Sequence, residues 1–453
     1  MTETFSFDRL GTALSLEGLG SLKDSPKILL AATDRWYPTA RLGLALAKAG
    51  CVVEAVCPSG HPLNLTRAVS RIHRYHGLAP LASFTRAIRA SNPDLVIPAD
   101  DLATWHLHDL YSGELSNGQR GHQICRLIEQ SLGAAESFKV VRSRSAFMQL
   151  AEEENIRAPH TDAIANESDL HEWIARRGFP TVLKANGTSG GDGVKVVNTV
   201  EEAERTFRKL HAPPLLARAI KRTMLDRDST LVWPSLSRRK RAVNAQTFVL
   251  GNEATSTFVC WEGNVLASLH FEVVRKVGLT GHATVVRRIE HPEMSAATEK
   301  IARRLKLSGF HGLDFMLEAE TGNAYLIEIN PRSTQVGHLA LGQGRDLPAA
   351  LYSVLTRKSV KAAAPVTEND TIALFPQEWK RDPESSFLLS AYHDVPWDEP
   401  EIVSACAGAV RKRENHRNRR FVTVEQRCIT ATGEHTATDE SKPERLVAEQ
   451  NQI

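Results

Sequence analysis

The 453-residue chain divides on its sequence into an α/β half with a parallel sheet and a following α+β half built on antiparallel hairpins. Three observations predict this. From residue 26 onward, short buried-strand runs alternate with amphipathic helical stretches, the pattern of a parallel sheet covered on both faces. At 178–198 two β-branched runs flank a glycine-rich loop. At 309–332 two strand-like runs, 313–318 and 324–329, are joined by the five residues 319–323, which reads as a hairpin.

Composition bounds the rest. With 42% hydrophobic and 24% charged residues the chain can bury a sizeable core, and its length suggests about three domains. A net charge of +3 gives no general case for nucleic acid as a partner. The six cysteines show no CxxC or other zinc spacing, and the start is not signal-like, so reduced thiols in a cytoplasmic protein are expected. No apolar run approaches a membrane span.

Residues 1–24 read as a loosely attached arm. Next come a strand at 27–32, a helix at 39–49 stopped by Gly50, a strand at 52–56, a helix at 81–90 and a strand at 93–98. Ligands on such sheets collect at the carboxyl ends of strands, which makes Asp34, Arg35, Asp100 and Asp101 candidates, with ordinary loop residues as the alternative. The first turn has no GxGxxG, so dinucleotide binding is not expected. A helix follows within 143–159, ended by Asn155 and Pro159. Arg144 near its start opposes the macrodipole and calls for an anionic partner such as phosphate, with a solvated arginine as the alternative.

The run 178–185 is a strand carrying Lys184 near its end. Glycines 187, 190, 191 and 193 in the following loop let backbone amides approach an anion, although a plain glycine-rich hairpin satisfies the same pattern. The loop is not a Walker A sequence, because no GK[ST] follows. It contains GxSxG, but the β-branched run 194–197 cannot supply the helix of a nucleophile elbow. A short helix at 201–210 precedes an irregular stretch at 211–245, whose basic run 238–241 reads as solvated loop. Strands are expected at 245–250, 253–261, 265–274 and 284–288, with turns at 251–252 and 262–264 and a glycine-bearing loop at 278–281. A helix at 293–305 buries Met294, Ala297, Ile301 and Leu305.

If 319–323 closes an antiparallel hairpin, Asp314 lies opposite Glu328, with Asn330 on the same face. Phe315, Leu317, Tyr325, Ile327 and Ile329 then share the other face. Two adjacent carboxylates need a cation or a shared proton between them, and oxygen ligands at this spacing suit Mg²⁺. Arg332 can hold an anion bidentately. The alternative is an exposed polar face of an ordinary hairpin. Beyond it, 337–346 is a loop, 347–355 a closing helix and 372–376 an edge strand; past residue 408 the chain turns basic and polar, with its last 20 or so residues expected to be disordered.

Taken together, Val182-Leu183-Lys184-Ala185 with its glycine loop, the run 245–251, Gly312-Leu313-Asp314-Phe315-Met316 and the run 326–332 resemble the ATP-grasp superfamily. The likeness is to ligases related to the large subunit of carbamoyl-phosphate synthase and to biotin carboxylase, and it runs over about residues 27–350. It implies a Rossmann-like pre-ATP-grasp domain at 25–138, then a two-lobed ATP-grasp fold. The lid subdomain with a linker helix falls at 139–245, the catalytic subdomain at 246–360 and a C-terminal extension at 361–453.

The resemblance also implies residue roles. Lys184 and Arg144 contact phosphate, with Lys139 as fallback for Arg144, under a flexible cover containing Gly187, Gly190, Gly191 and Gly193. Gln246, Phe248 and Val249 form the hinge against adenine, and Glu253 reaches the ribose. Asp314, Glu328 and Asn330 hold Mg²⁺, or Mn²⁺ in its place, while Arg332, Arg287 and Arg288 face the transferred phosphate or the substrate.

The function so implied is an ATP-dependent carboxylate-amine ligase acting on small molecules through an acyl phosphate and releasing ADP and phosphate. Bicarbonate activation and an inactive ATP-binding module are the alternatives, and a homodimer is a family-level expectation. Asp314 stands where many members carry Glu. Gly337 replaces the glutamate that precedes the histidine in biotin carboxylases, which argues against biotin as substrate, and neither a glutaminase domain nor a duplicated half supports carbamoyl-phosphate synthesis.

Overall fold

The computed structural model describes residues 24–185, 193–212, 241–278, 281–360 and 364–414, with side chains to 407. Contacts divide the chain after Val403, and everything below up to that residue belongs to one unit. The expected N-terminal arm, most of the 211–245 stretch and the basic tail lie outside the described residues. Among the described residues the strands form three sheets.

The first sheet is parallel, in the order β3-β2-β1-β4. Strands β1 (Lys27–Ala31), β2 (Val52–Cys57) and β4 (Leu95–Pro98) match expectation, alternating with helices α1 (Tyr37–Lys48), α2 (Pro80–Ser91), α3 (Asp101–Glu114) and α4 (Gly118–Leu132). β3 (Val69–Arg74) was not foreseen. It lies at the sheet edge with largely exposed side chains, so no apolar run marks it. Apolar side chains of β1, β4, α2, α3 and α4 close one core.

Helix α5 (Phe138–Arg142) leads to α6 (Arg144–Glu153), which Ser143 caps by accepting from the Ala146 amide. Phe147, Met148, Leu150 and Ala151 of α6 pack with the core of the third sheet. The second sheet, at the place expected for a lid, is antiparallel, in the order β5-β8-β6-β7: β5 (Thr161–Ile164), β6 (Thr181–Ala185), β7 (Val194–Val197) and β8 (Val243–Thr247). Helices α7 (Glu167–Arg177) and α8 (Val200–His211) cover one of its faces, burying Trp173, Phe207, Leu183, Ala185, Val243 and Ala245.

The third sheet has the order β13-β12-β9-β10-β11-β14-β15. Its strands are β9 (Gly251–Trp261), β10 (Asn264–Lys276), β11 (Ala283–Arg288), β12 (Gly309–Glu318), β13 (Ala324–Asn330), β14 (Thr371–Ala373) and β15 (Tyr392–His393). Helix α9 (Pro292–Arg304) and α6 cover one face around Met294, Ile301, Leu313 and Phe315. Helix α10 (Leu347–Thr356) follows the catalytic hairpin, and α11 (Pro400–Glu414) ends the described chain.

Two expectations are corrected here. The run 245–250 does not pair with 253–261: β8 ends at Thr247 in the lid sheet, and residues 248–250 cross to β9 in the catalytic sheet. Gly251 is therefore no turn residue; a Cβ there would collide with the Leu317 carbonyl on β12. The segment 372–376 is also not the edge, because β15 pairs in parallel outside β14.

Candidate functional site

The hairpin β12–β13 places Asp314 opposite Glu328 and Gly312 opposite Asn330. A bulge intervenes between Asp314/Glu328 and Phe315/Leu326, so Ile327 is the extra residue on β13. That slip changes the apolar face: Ala324, Leu326 and Ile329 join Leu313 and Phe315 in the core, whereas Tyr325 and Ile327 do not. The polar face survives because the bulge lies beyond the carboxylates.

Asp314 accepts hydrogen bonds from Thr255 Oγ1 and from Asn330 Nδ2, each at 2.9 Å. Burial, and next the negative charge of Glu328, push its pKa up to about 6 against those two bonds. Glu328 Oε1 meets Arg144 Nη2 at 2.7 Å, which supplies the anion that Arg144 needs at the first turn of α6. Arg144 Nη1 is buried without a hydrogen-bond partner.

Lys184 comes to this cluster from the lid. It stands opposite Asn244, as Val182 stands opposite Gln246, so these four share the sheet face turned away from α7 and α8. Lys184 is only 4% exposed, and burial followed by the charge of Arg144 lowers its pKa to about 8 although Glu328, Asp314 and Glu253 pull the other way. Glu253 is itself bonded by Lys276 Nζ at 2.6 Å. Gln246 is buried and donates to Thr161 Oγ1 at 2.9 Å, while Phe248 and Val249 lie on the crossing between the lobes, Phe248 exposed. Gly193 accepts from the Ala185 amide at 2.9 Å. Gly187, Gly190 and Gly191 lie outside the described residues.

Arg332 closes the other side. Its Nη2 donates to Asn330 Oδ1 at 3.1 Å, its Nη1 to the Ser333 carbonyl at 3.1 Å and its Nε to Asp101 Oδ1 at 3.2 Å. Burial disfavours its charge, but Asp101, Asp314, Asp100 and Glu328 together hold the proton more tightly than usual. Gly312 is required beside it, since a Cβ would strike the Thr334 side chain in the loop after β13.

Arg287 is not part of this cluster, which corrects its expected catalytic place. It pairs with Glu272 Oε2 at 2.7 Å, in a ladder row with Ala254 and Phe315 on the helix-covered face. Its neighbour Arg288 lies in the row of Phe271, Thr255 and Asp314, and is engaged by Asp370. Of the candidates in the first sheet, Asp100 is structural: it accepts from Thr33, Asp34 and Ala103 and caps α3. Asp34 accepts from the Arg35 amide, and Arg35 Nε donates to the Ser59 carbonyl.

Thr255, Asn244 and Trp36 were missed. Asn244 could have been found, because the period of two from Gln246 leads to it. Trp36, whose ring lies 5.7 Å from the Arg332 guanidinium carbon, carries no local signal.

The donor set fits a divalent cation shared with an anion. Two carboxylates converge beside the Asn330 amide, which turns its nitrogen to Asp314 and its oxygen to Arg332; one carboxyl is driven toward protonation by burial and then by the other's charge, and a buried guanidinium nitrogen beside them has no partner. Among the described residues no group of three or more His, Cys, Asp or Glu forms a metal cage. An ion here must take further ligands from phosphate or water, the habit of Mg²⁺.

This arrangement is similar to the site of ATP-grasp ligases, and the comparisons point the same way. Residues 143–341 match the family described as carbamoyl-phosphate synthase L chain, ATP binding domain. The large chain of carbamoyl phosphate synthase from Methanothermobacter thermautotrophicus is 21% identical over 379 residues, 80% of this chain and 32% of that relative. Human mitochondrial pyruvate carboxylase is 24% identical over 181 residues, 40% of this chain and 14% of the relative. The chain thus spans a third or less of these relatives.

Among solved structures, N5-carboxyaminoimidazole synthase from Aspergillus clavatus, in complex with ADP and 5-aminoimidazole ribonucleotide, superposes with a TM-score of 0.54 at 13% identity, covering 76% of this chain and 80% of that one. The biotin carboxylase domain of Hydrogenobacter thermophilus 2-oxoglutarate carboxylase, a dimer with MgADP and bicarbonate, gives 0.50 at 12% identity, covering 76% and 72%. At such identities the likeness establishes the fold. No helix among the described residues is long and apolar enough to cross a membrane.

Proposed function

We propose that the protein is an ATP-dependent carboxylate-amine ligase that joins two small molecules and releases ADP and phosphate. The observation that carries this reading is the convergence of Lys184 from the lid, Arg144 from α6 and Asp314, Glu328, Asn330 and Arg332 from the catalytic hairpin on one space. A carboxylate is a poor electrophile because oxide would have to leave. Phosphorylation by ATP gives an acyl phosphate, from which an amine displaces phosphate.

Asp314, Glu328 and Asn330 are the residues that would hold Mg²⁺, which when bound supplies charge neutralisation on the phosphates. Lys184 and Arg144 bind and orient the phosphates, Arg144 through the nitrogen that lacks a partner. Arg332 faces the transferred group from the opposite side. The crossing at 248–250 carries the adenine contacts of Phe248 and Val249, and the lid lobe restricts water.

An ADP-release screen with Mg²⁺, carboxylates and amines, singly and in pairs, tests the proposal. ADP formed only with a matched pair supports it. Release with bicarbonate and no organic carboxylate identifies the bicarbonate-activating alternative, and tight ATP binding with no release across the panel would leave a nucleotide-binding module.

Lys184 gives a second expectation. With its pKa lowered to about 8, part of the population is neutral in mildly alkaline solution, and bound phosphates restore the charge. ATP binding near pH 8.5 (about half a unit above that pKa) should therefore take up protons. Calorimetry in buffers of different ionisation enthalpy measures this; buffer-independent heats, or uptake unchanged in Lys184→Met, would contradict it.

A further inference from the structure

We propose that Asp101, on the Rossmann-like domain, is a positioning residue for Arg332: it fixes the guanidinium so that its free hydrogens face the phosphoryl group being transferred. The proposal rests on the ligase reading above. Nothing in the family match covers Asp101, because that match begins at residue 143.

The segment 331–333 is tied to the first domain on both sides of the arginine. Thr104 Oγ1 of α3 donates to the Pro331 carbonyl at 2.8 Å, and the Ser333 amide donates to the Pro98 carbonyl at the end of β4 at 3.1 Å. Between these anchors Asp101 takes the Arg332 Nε hydrogen, and the Trp36 ring lies against the guanidinium. The adjacent aspartates divide the work. Asp100 is consumed as the cap of α3 and the tie to Thr33 and Asp34, which holds Asp101 at the first position of the helix. A continuous chain of bonds then runs from Asp101 through Arg332 and Asn330 to Asp314.

Arginine has five N–H donors, and Asp101, Ser333 and Asn330 engage one on each nitrogen. The remaining Nη hydrogens have their direction set by those three. Without Asp101 the guanidinium keeps its charge but can turn about its last side-chain torsions, so orientation is lost while attraction is not.

Two substitutions separate these effects. Asp101→Asn removes the negative charge and keeps an acceptor for Nε, whereas Asp101→Ala removes both. The probe is inorganic phosphate titrated by calorimetry into each protein saturated with MgADP, the MgADP affinity being measured first. Phosphate is expected to bind the Ala variant about five- to tenfold more weakly than the Asn variant, with the Ala/Asn difference absent in an Arg332→Lys background, where no Nε exists to be held. Equal binding to the two variants, a difference that persists with Arg332→Lys, or no measurable phosphate binding by the wild-type MgADP complex would overturn the proposal. Failure of the wild-type protein to bind MgADP would instead overturn the ligase reading on which it rests.

Discussion

Asp314→Asn should abolish turnover, with a loss on the order of a hundredfold or more, and at the same time raise the thermal stability of the nucleotide-free protein at neutral pH. Both effects come from one carboxylate. Its pKa is raised above the ordinary 3.8 to about 6, so the native state binds its proton more tightly than the unfolded chain does. Stability from this source is fully present below the unfolded value and is lost as pH rises through about 6. At pH 7 and above, the folded protein bears the cost of a buried Asp314 charge and, after it, the repulsion from Glu328.

Removing the charge should return about 1–2 kcal/mol, less than the whole shift because Asp314 retains some hydration. With Mg²⁺ and ATP the order should reverse, since only the wild type gains the ligand's stabilisation. Melting curves of both proteins from about pH 4 to 8, with and without MgATP, test this. Midpoints that coincide at pH 7.5 (about 1.5 units above that pKa) without nucleotide would show that the buried Asp314 charge does not strain the site.

The largest purely structural loss is expected at Asp394. This carboxylate, 2% exposed, accepts from His338 Nε2 at 2.7 Å and from the Arg41 guanidinium, which also donates to its backbone carbonyl. Burial raises its pKa, but His338 and Arg41 more than offset that and hold it below the usual value. The three groups come from the residue after β15, the loop after β13 and helix α1, so the cluster fastens the segment after β15 and the loop after β13 to helix α1.

Asp394→Ala leaves Arg41 buried without its counter-charge and should cost about 3–5 kcal/mol, with Asp394→Asn costing less because hydrogen bonding persists. Since the folded pKa is depressed, this stability exists above the unfolded value near 3.8 and disappears as pH falls through the folded one. Urea unfolding at neutral pH and again below about pH 4 should show the difference between wild type and Asp394→Asn shrinking in acid. A neutral-pH cost below about 1 kcal/mol would mean that the clasp is not holding these segments.

Most of the fold could be read from periodicity, and the failures have physical causes. The hairpin loop at 319–323 and the opposition of Asp314 and Glu328 follow from spacing alone. The bulge at Ile327 does not, because Tyr325, Leu326 and Ile327 are all apolar and either alternation is acceptable locally. Which face Arg287 and Arg288 each take could not be read either, because their strand pair carries two register irregularities. The sheet change at 248–250 was hidden because both flanking runs read as strand. Arg41 lies 353 residues before Asp394 and His338 lies 56 before it, and no window of sequence connects them.

The contact between Arg144 and Glu328 has a consequence for the order of events. A tethered guanidinium beside Glu328 is always present at high effective concentration, so a bare divalent ion must compete with it for that carboxylate. A metal-nucleotide chelate would meet no such obstacle, because its oxyanions would offer Arg144 a new partner while its cation would offer one to Glu328. On the proposed function, metal and nucleotide would then be admitted together rather than one after the other.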